Sequence, residues 1–469
     1  MTPVPMSKLI VIDDDPTGSQ TVHGCPLLLS WRVEALVEGL QHPAHVLFIL
    51  ANTRALPWRD AEVRLRSICR NLRQALSQLN LEDWQLVSRG DSTLRSHFPL
   101  DAQVLSQELG PFAVLFVLPA FLPGGRTTVG GHHFLHGQPV HLSSYARDSR
   151  FGYRTSCLAA WVEQKSGGRI PQTTVTRLHW QEDGNRLLTR LASLPQGAVV
   201  TVDASEPEHL HRFGQLMQRR RQQGHQDLCW GAASLIDALV DPGPQILTGR
   251  DWAGLRRRDA WGLQPGVILV GSHQPGADRQ LAKLLTAPSV KGLEIPLEGL
   301  RQGLAPAQLA PSLAAALGHA LQQERRTVAL YTSRGERLRG DEAGQLALAE
   351  AVAQLQEMVL DPLCSSLGYV ISKGGSTSDT LLRRVLGLDR VALRGQVMPG
   401  ISLVQPAAPL GQAGLPVICV PGNMGTDETL LDLHQLMEPE HSLTPGCPGI
   451  QAPSWPRPEG RRSITVGFP

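Results

Sequence analysis

The feature that most constrains this chain is an alternation. Short apolar runs at residues 9–12, 45–50, 113–118, 198–202, 267–270, 327–331, 368–371 and 417–420 are separated by longer stretches. Several of these, at 59–81, 208–223, 277–285, 308–323 and 343–360, carry apolar residues at helical spacing. Runs of four to six residues, several rich in Val and Ile, suit strands buried on both faces. The expectation is an α/β fold made of two α/β domains, with largely parallel sheets and a cleft between them. A chain of 469 residues is long enough for that. Two breaks divide it. Residues 241–266 contain Asp-Pro-Gly-Pro, an arginine run and Gln-Pro-Gly, and from 438 onward Pro and Gly accumulate without periodicity. We therefore expect an N-terminal domain at 1–240, a connection at 241–266, a C-terminal domain at 267–437 and an irregular or mobile tail at 438–469.

Charge and cysteine usage narrow the function classes. The 44 Lys and Arg nearly balance 42 Asp and Glu, which argues against a nucleic-acid partner held by a basic face. No apolar stretch approaches the roughly 18–20 residues of a membrane helix, and the apolar run at 9–12 is too short for a signal peptide. Seven scattered cysteines without a C-x-x-C spacing read as reduced thiols, so a soluble cytoplasmic protein is expected.

Chemistry concentrates where apolar runs end. Asp13-Asp14-Asp15-Pro16-Thr17-Gly18 follows the first run. Three adjacent aspartates repel one another and exceed what a turn needs, so they point to hydroxyl binding, proton abstraction or cation coordination. After an apolar turn at 84–87 comes Ser88-Arg89-Gly90-Asp91-Ser92-Thr93-Leu94-Arg95. Arginine clamps carboxylates with paired hydrogen bonds, while Asp, Ser and Thr suit polyhydroxyl ligands. Asp91 is alternatively the cap of a helix starting near Ser92. Arg54, at another run's end, is a third clamp for an anion. Pro119-Ala120-Phe121-Leu122-Pro123-Gly124-Gly125-Arg126-Thr127-Thr128 leads to His132, His133, His136 and His141, which we read as surface or hydrogen-bonding residues of a loop or hairpin and not as metal ligands.

Three further loops follow runs in the second half: Gly271-Ser272-His273-Gln274, Gly374-Gly375-Ser376-Thr377 after Lys373, and Pro421-Gly422-Asn423-Met424-Gly425. Paired glycines let backbone N–H groups approach a phosphate, and a following helix adds a favourable dipole. Three such loops favour a nucleotide site, although none is a P-loop or a dinucleotide fingerprint. Lys373 reads either as a phosphate contact or as a solvated strand end.

In this order the motifs resemble the four-carbon acid sugar kinase family, over about residues 8–432. Asp14-Asp15-Pro16-Thr17-Gly18 is similar to its D-D-x-T-G, and Arg89-Gly90-Asp91-Ser92-Thr93-Leu94-Arg95 to its K-x-D-S-T-L-R-G. Residues 119–128 are similar to P-A-F-x-x-x-G-R-T-T, with Asp148 at the later aspartate. Gly271-Ser272, Gly374-Gly375-Ser376-Thr377 and Gly422-Asn423-Met424-Gly425 resemble G-S, G-G-E-T and G-N-F-G. The resemblance implies an ATP- and Mg²⁺-dependent kinase that phosphorylates a hydroxyl of a small anionic sugar acid of threonate, erythronate or oxo-tetronate type. It implies substrate contacts at Asp14, Asp15, Arg54, Arg89, Asp91, Ser92, Thr93 and Arg95. ATP contacts fall at Ser272, Gly374, Gly375, Ser376, Thr377 and Gly422, and Asp14 or Asp91 is the base. Arg89 replaces Lys, Ser96 replaces Gly and Ser376 replaces Glu in the family pattern. Two other readings compete: a haloacid-dehalogenase-like phosphatase using Asp13 and Asp15, and a non-catalytic acid-sugar or nucleotide sensor. A homodimer is the base-rate expectation for a soluble enzyme.

Overall fold

A computed structural model describes residues 8–18, 21–240, 245–249, 251–334, 342–406 and 414–438. The eight apolar runs are strands: Lys8–Asp13, Val46–Leu50, Val114–Leu118, Ala198–Val202, Val267–Val270, Thr327–Thr332, Val370–Lys373 and Val417–Val420. The periodic stretches are helices, among them Trp58–Gln78, Pro207–Gln222 and Pro275–Leu284. The first shows why: Ala61, Leu65, Ile68, Cys69, Leu72, Ala75 and Leu76 repeat at three- and four-residue intervals and are the face it buries. The six described cysteines are unpaired. Among the described residues no helix is long and apolar enough to cross a membrane.

The sheets of the two halves join edge to edge. Fifteen strands form one continuous sheet, mostly parallel, with the N-terminal strands at one end and the C-terminal strands at the other. The join is antiparallel: Cys25–Leu28 pairs with Arg390–Met398, which pairs with Ile401–Pro406, which pairs with Val417–Val420. Register shifts between Leu393 and Gly395 and between Gln396 and Met398 interrupt the middle pair. Such bulges bend a strand and increase its twist. Gly395 has φ +135°, which only glycine adopts without strain, and Gln245 hydrogen-bonds to both the N–H and the carbonyl of Gln396 beside it.

Two expectations need correction, and the connection gains detail. Residues 84–87 are not a turn but part of the central strand Trp84–Arg89, between Lys8–Asp13 and Leu228–Gly231. Its last residues are polar yet buried, which disguised it. The connection is packed: it holds the short helix Asp251–Gly254, with Trp252 buried, and the paired strands Arg258–Asp259 and Gly262–Leu263. Residues 241–244 and 250 lie outside the described residues. Glu438, the expected start of the tail, is buried 3.2 Å from Arg256 Nη2 and accepts a hydrogen bond from Tyr369 Oη. Residues 439–469 lie outside the described residues.

Candidate active site at the facing strand ends

In the N-terminal half, parallel register aligns the ends of three neighbouring strands. Asp13 pairs with Leu50 on one side and with Arg89 on the other, so the loops at 13–18, 51–54 and 89–95 emerge together. The C-terminal half repeats the device. Val270 pairs with Lys373 and Lys373 with Val420, bringing the loops at 271–274, 374–377 and 421–424 side by side. Ligands of open α/β sheets bind at such carboxyl ends.

These six loops line one cavity of about 310 Å³. From the first half it takes Asp15, Arg54, Arg89, Asp91, Ser92, Arg95 and Arg126; from the second, Ser272, Gly374, Gly375, Ser376, Thr377, Gly422 and Met424. Asp14 and Thr93 do not line it but hold residues that do. Arg54 donates to both oxygens of Asp14 and to Asp15 Oδ2 at 3.1 Å. Arg95 Nε donates to Asp91 Oδ2 at 2.8 Å, and Thr93 Oγ1 donates to the same oxygen. Asp91 therefore caps no helix: it sits in a turn with Leu94 at φ +67°. Arg89 Nη1 lies 3.6 Å from Asp13 and 3.5 Å from Asp14.

Burial splits the aspartates. It pushes Asp13 up to about 7 against the pull of Arg89. It also raises Asp14, outweighing the Arg54 pairing. Burial acts on Asp15 and Asp91 too. There Arg54 with Thr17 holds Asp15 below its usual range, and Arg95, Arg54 and Thr93 hold Asp91 well below it. Asp13 is 1% exposed and absent from the cavity lining. A phosphatase nucleophile must be ionised and reachable, and Asp13 is poorly placed on both counts.

The histidine segment supports this wall. It forms a small antiparallel sheet of Arg126–Val129, His132–Leu135 and Gln138–Pro139. His133 is buried, and burial pushes it down to about 4, so it is neutral. Its Nε2 lies 2.8 Å from the Ser92 carbonyl and its Nδ1 3.0 Å from Thr128 Oγ1. Tyr153 Oη donates to the Thr93 carbonyl, and Arg95 stacks on the Tyr145 ring.

Backbone builds the opposite wall. Gly374 has φ +119°, and a Cβ on Gly422 would stand 2.9 Å from Ser272 Oγ. The glycines thus keep open a cradle that side chains would fill. A Cβ on Gly375 would come within 3.0 Å of Asp15 Oδ2, so the two walls touch here. Lys373 is neither a phosphate contact nor a solvated strand end. It is fully buried and donates to the carbonyls of Pro421 (2.9 Å) and Met424 (2.8 Å), tying down the third loop.

Comparison with known proteins agrees with this division. A sugar-binding N-terminal domain model matches residues 9–239, and a nucleotide-binding C-terminal domain model matches 267–430. This chain belongs to the four-carbon acid sugar kinase family. A D-threonate kinase of Bordetella bronchiseptica is 25% identical over 438 residues, covering 90% of this chain and 95% of that protein. A D-erythronate kinase of Heliobacterium modesticaldum is 27% identical over 179 residues, which span 36% of this chain and only 39% of the relative. A crystal structure from Salmonella typhimurium LT2 shares the fold, with a TM-score of 0.65 and 19% identity over 91% of this chain and 98% of that one.

Sequence reasoning about this family member assigned no role to Arg126, Phe121 or Met424, which line the same cavity. A signal for Arg126 existed: an arginine directly after paired glycines at a strand end. Met424 had none, since its reach across the seam depends on tertiary packing.

Proposed function

We propose that the chain transfers the γ-phosphoryl group of ATP to a hydroxyl of a small four-carbon sugar acid. One observation carries the reading: a single cavity has an Arg- and Asp-rich wall facing a wall of glycine loops. The first suits a polyhydroxyl anion, the second a polyphosphate. Ser92, Arg89 and Arg95 contact the acid, and an acid rather than a neutral sugar is favoured because an uncharged ligand leaves guanidinium groups unanswered. Ser272, Gly374, Gly375, Ser376, Thr377 and Gly422 hold the phosphates of ATP.

Asp91 is the proton acceptor we assign, since it lines the cavity and Asp14 does not. Its low basicity is compatible with phosphoryl transfer, whose loose transition state asks mainly for positioning and charge neutralisation. Asp14, bonded to both ends of Arg54, is the positioning partner of that arginine. Asp15 is ionised and lies against the Gly375 loop, an oxygen donor of the kind Mg²⁺ prefers. It is the residue that would hold the ion, which when bound neutralises phosphate charge.

The test is ADP release from Mg-ATP across erythronate, threonate and oxo-tetronates, with neutral tetroses as controls. Turnover confined to acids supports the reading. Ligand-dependent stabilisation without ADP release across the panel would replace it with the sensor reading.

A further inference from the structure

Charge pairing sets one residue apart. Four arginines line the cavity, and three are committed: Arg54 to Asp14 and Asp15, Arg95 to Asp91, and Arg89 beside Asp13 and Asp14. Among the described residues Arg126 has no carboxylate partner. Its side chain is only 4% exposed, its Nε has no hydrogen-bond acceptor, and Nη1 reaches just the Gly124 carbonyl (2.6 Å) and Met424 Sδ (3.8 Å). A guanidinium buried without a counter-charge costs free energy that a bound anion recovers.

Its position says which anion. Arg126 stands over the Phe121 ring, and Phe121 packs with Met424 of the third phosphate loop, Ala232 and Ala233 in one apolar cluster. Among opposite charges, that of Asp91 acts on it most strongly, and both residues line the cavity. Arg126 is thus bracketed by the assigned proton acceptor and a loop assigned to ATP, at the seam where donor and acceptor meet.

We propose that Arg126 is a catalytic residue that contacts the phosphoryl group in transfer. The inference rests on the kinase reading and adds to it the group that answers the transferred charge. In the step, the acceptor hydroxyl oxygen forms a bond to the γ-phosphorus as the bond from that phosphorus to the bridging oxygen of ATP breaks. ADP leaves with the electron pair, and the hydroxyl proton passes to Asp91. Arg126 stays protonated throughout and neutralises charge on the equatorial oxygens. Its apolar bed of Phe121 and Met424 strengthens that interaction by keeping water out.

The experiment compares the full-length wild type with Arg126→Gln and Arg126→Lys. It measures turnover with Mg-ATP and the accepted acid, and affinities for ADP and for a β,γ-imido ATP analogue. The expected result is a kcat lowered about 100- to 1,000-fold in Arg126→Gln, with partial recovery in Arg126→Lys. The acid KM and ADP affinity change less than about threefold, and the variant loses whatever preference the wild type shows for the analogue over ADP. A kcat within about threefold of wild type overturns the proposal, as does a loss confined to the acid KM, which would make Arg126 a carboxylate clamp. Absence of wild-type turnover on every acid would sink the kinase reading instead. The comparison of ADP with the analogue then still decides Arg126, because equal analogue affinity in wild type and Arg126→Gln removes its phosphoryl contact.

Discussion

The two walls of the cavity occupy equivalent positions, at the carboxyl ends of parallel strands, yet are made from opposite materials. The N-terminal wall consists of charged side chains that are buried, paired and aimed. The C-terminal wall is built on glycine loops, and it depends on side chains being missing at Gly374, Gly375 and Gly422. Burial shifts titratable groups in both halves. The first half buries carboxyls that are pushed up, Asp13 and Asp237 to about 7 and Asp101 to about 6. In the second, the amine of Lys373 is buried beside the glycine loops and pushed down to about 7. Side-chain recognition is specific but strained electrostatically, whereas backbone recognition is cheap and general. On the function proposed above, the acid meets the former and the nucleotide the latter.

The sharpest break in this comparison is Asp91→Ala. It should lower kcat about 100- to 10,000-fold, the span typical of a lost proton acceptor, while ADP raises the melting temperature as in wild type. Asp91→Asn should share the kinetic loss with less disturbance to Arg95. Loss of the ADP effect along with activity would show that the walls are not separable.

A smaller, complementary effect belongs to Gly374→Ala. An L side chain at φ +119° costs about 1–3 kcal/mol of strain, which the loop relieves by moving. The ATP KM should rise about tenfold while the acid KM stays within about twofold. Steady-state kinetics with each substrate varied in turn decides the matter. An equal rise in both would mean that the glycine loop also shapes the acid wall.

The smallest effects are in stability against pH, where Asp237 and Lys373 should act with opposite sign. Asp237 is pushed up by burial, so the native state holds a proton that the unfolded chain releases near pH 4. Stability is lost as pH rises from about 4 to about 7. Asp237→Asn should flatten that decline. Lys373 is pushed down, so the unfolded chain binds the extra proton between about 7 and about 10.5, and stability rises with pH across that window. Lys373→Met should flatten the rise, though it also removes one donor from each of the Pro421 and Met424 carbonyls. Melting curves from pH 4 to 10 read both, and a slope unchanged by either variant removes that residue from the account.

Much of this architecture was legible in the sequence because a strand buried on both faces writes an uninterrupted apolar run, as at Lys8–Asp13 or Val417–Val420. The strands of the seam write nothing so plain. Cys25–Leu28 is four residues with a proline, and Arg390–Met398 alternates buried and exposed positions and carries two bulges. Trp84–Arg89 was misread because Ser88 and Arg89 are polar and buried at once, a combination that only tertiary pairing permits. Arg89, Asp91 and Arg95 stood out through local charge density. The pairing of Arg54 with Asp14 did not, because the two are 40 residues apart and meet only through strand register. Arg126 was passed over for the converse reason: what distinguishes it is the partner it lacks.

The bulged antiparallel pair also acts as a ruler. Asp15 and Gly375 follow strands six places apart in the continuous sheet. At about 4.8 Å per place, a flat sheet would hold them nearly 30 Å apart. Yet a Cβ on one would stand 3.0 Å from the carboxylate of the other. The sheet must curl back on itself, and it has its bulges at Leu393–Met398. The gap between the two walls is accordingly a measure of sheet curvature. A residue such as Gly395 or Gln245, which touches no ligand, helps to write that length.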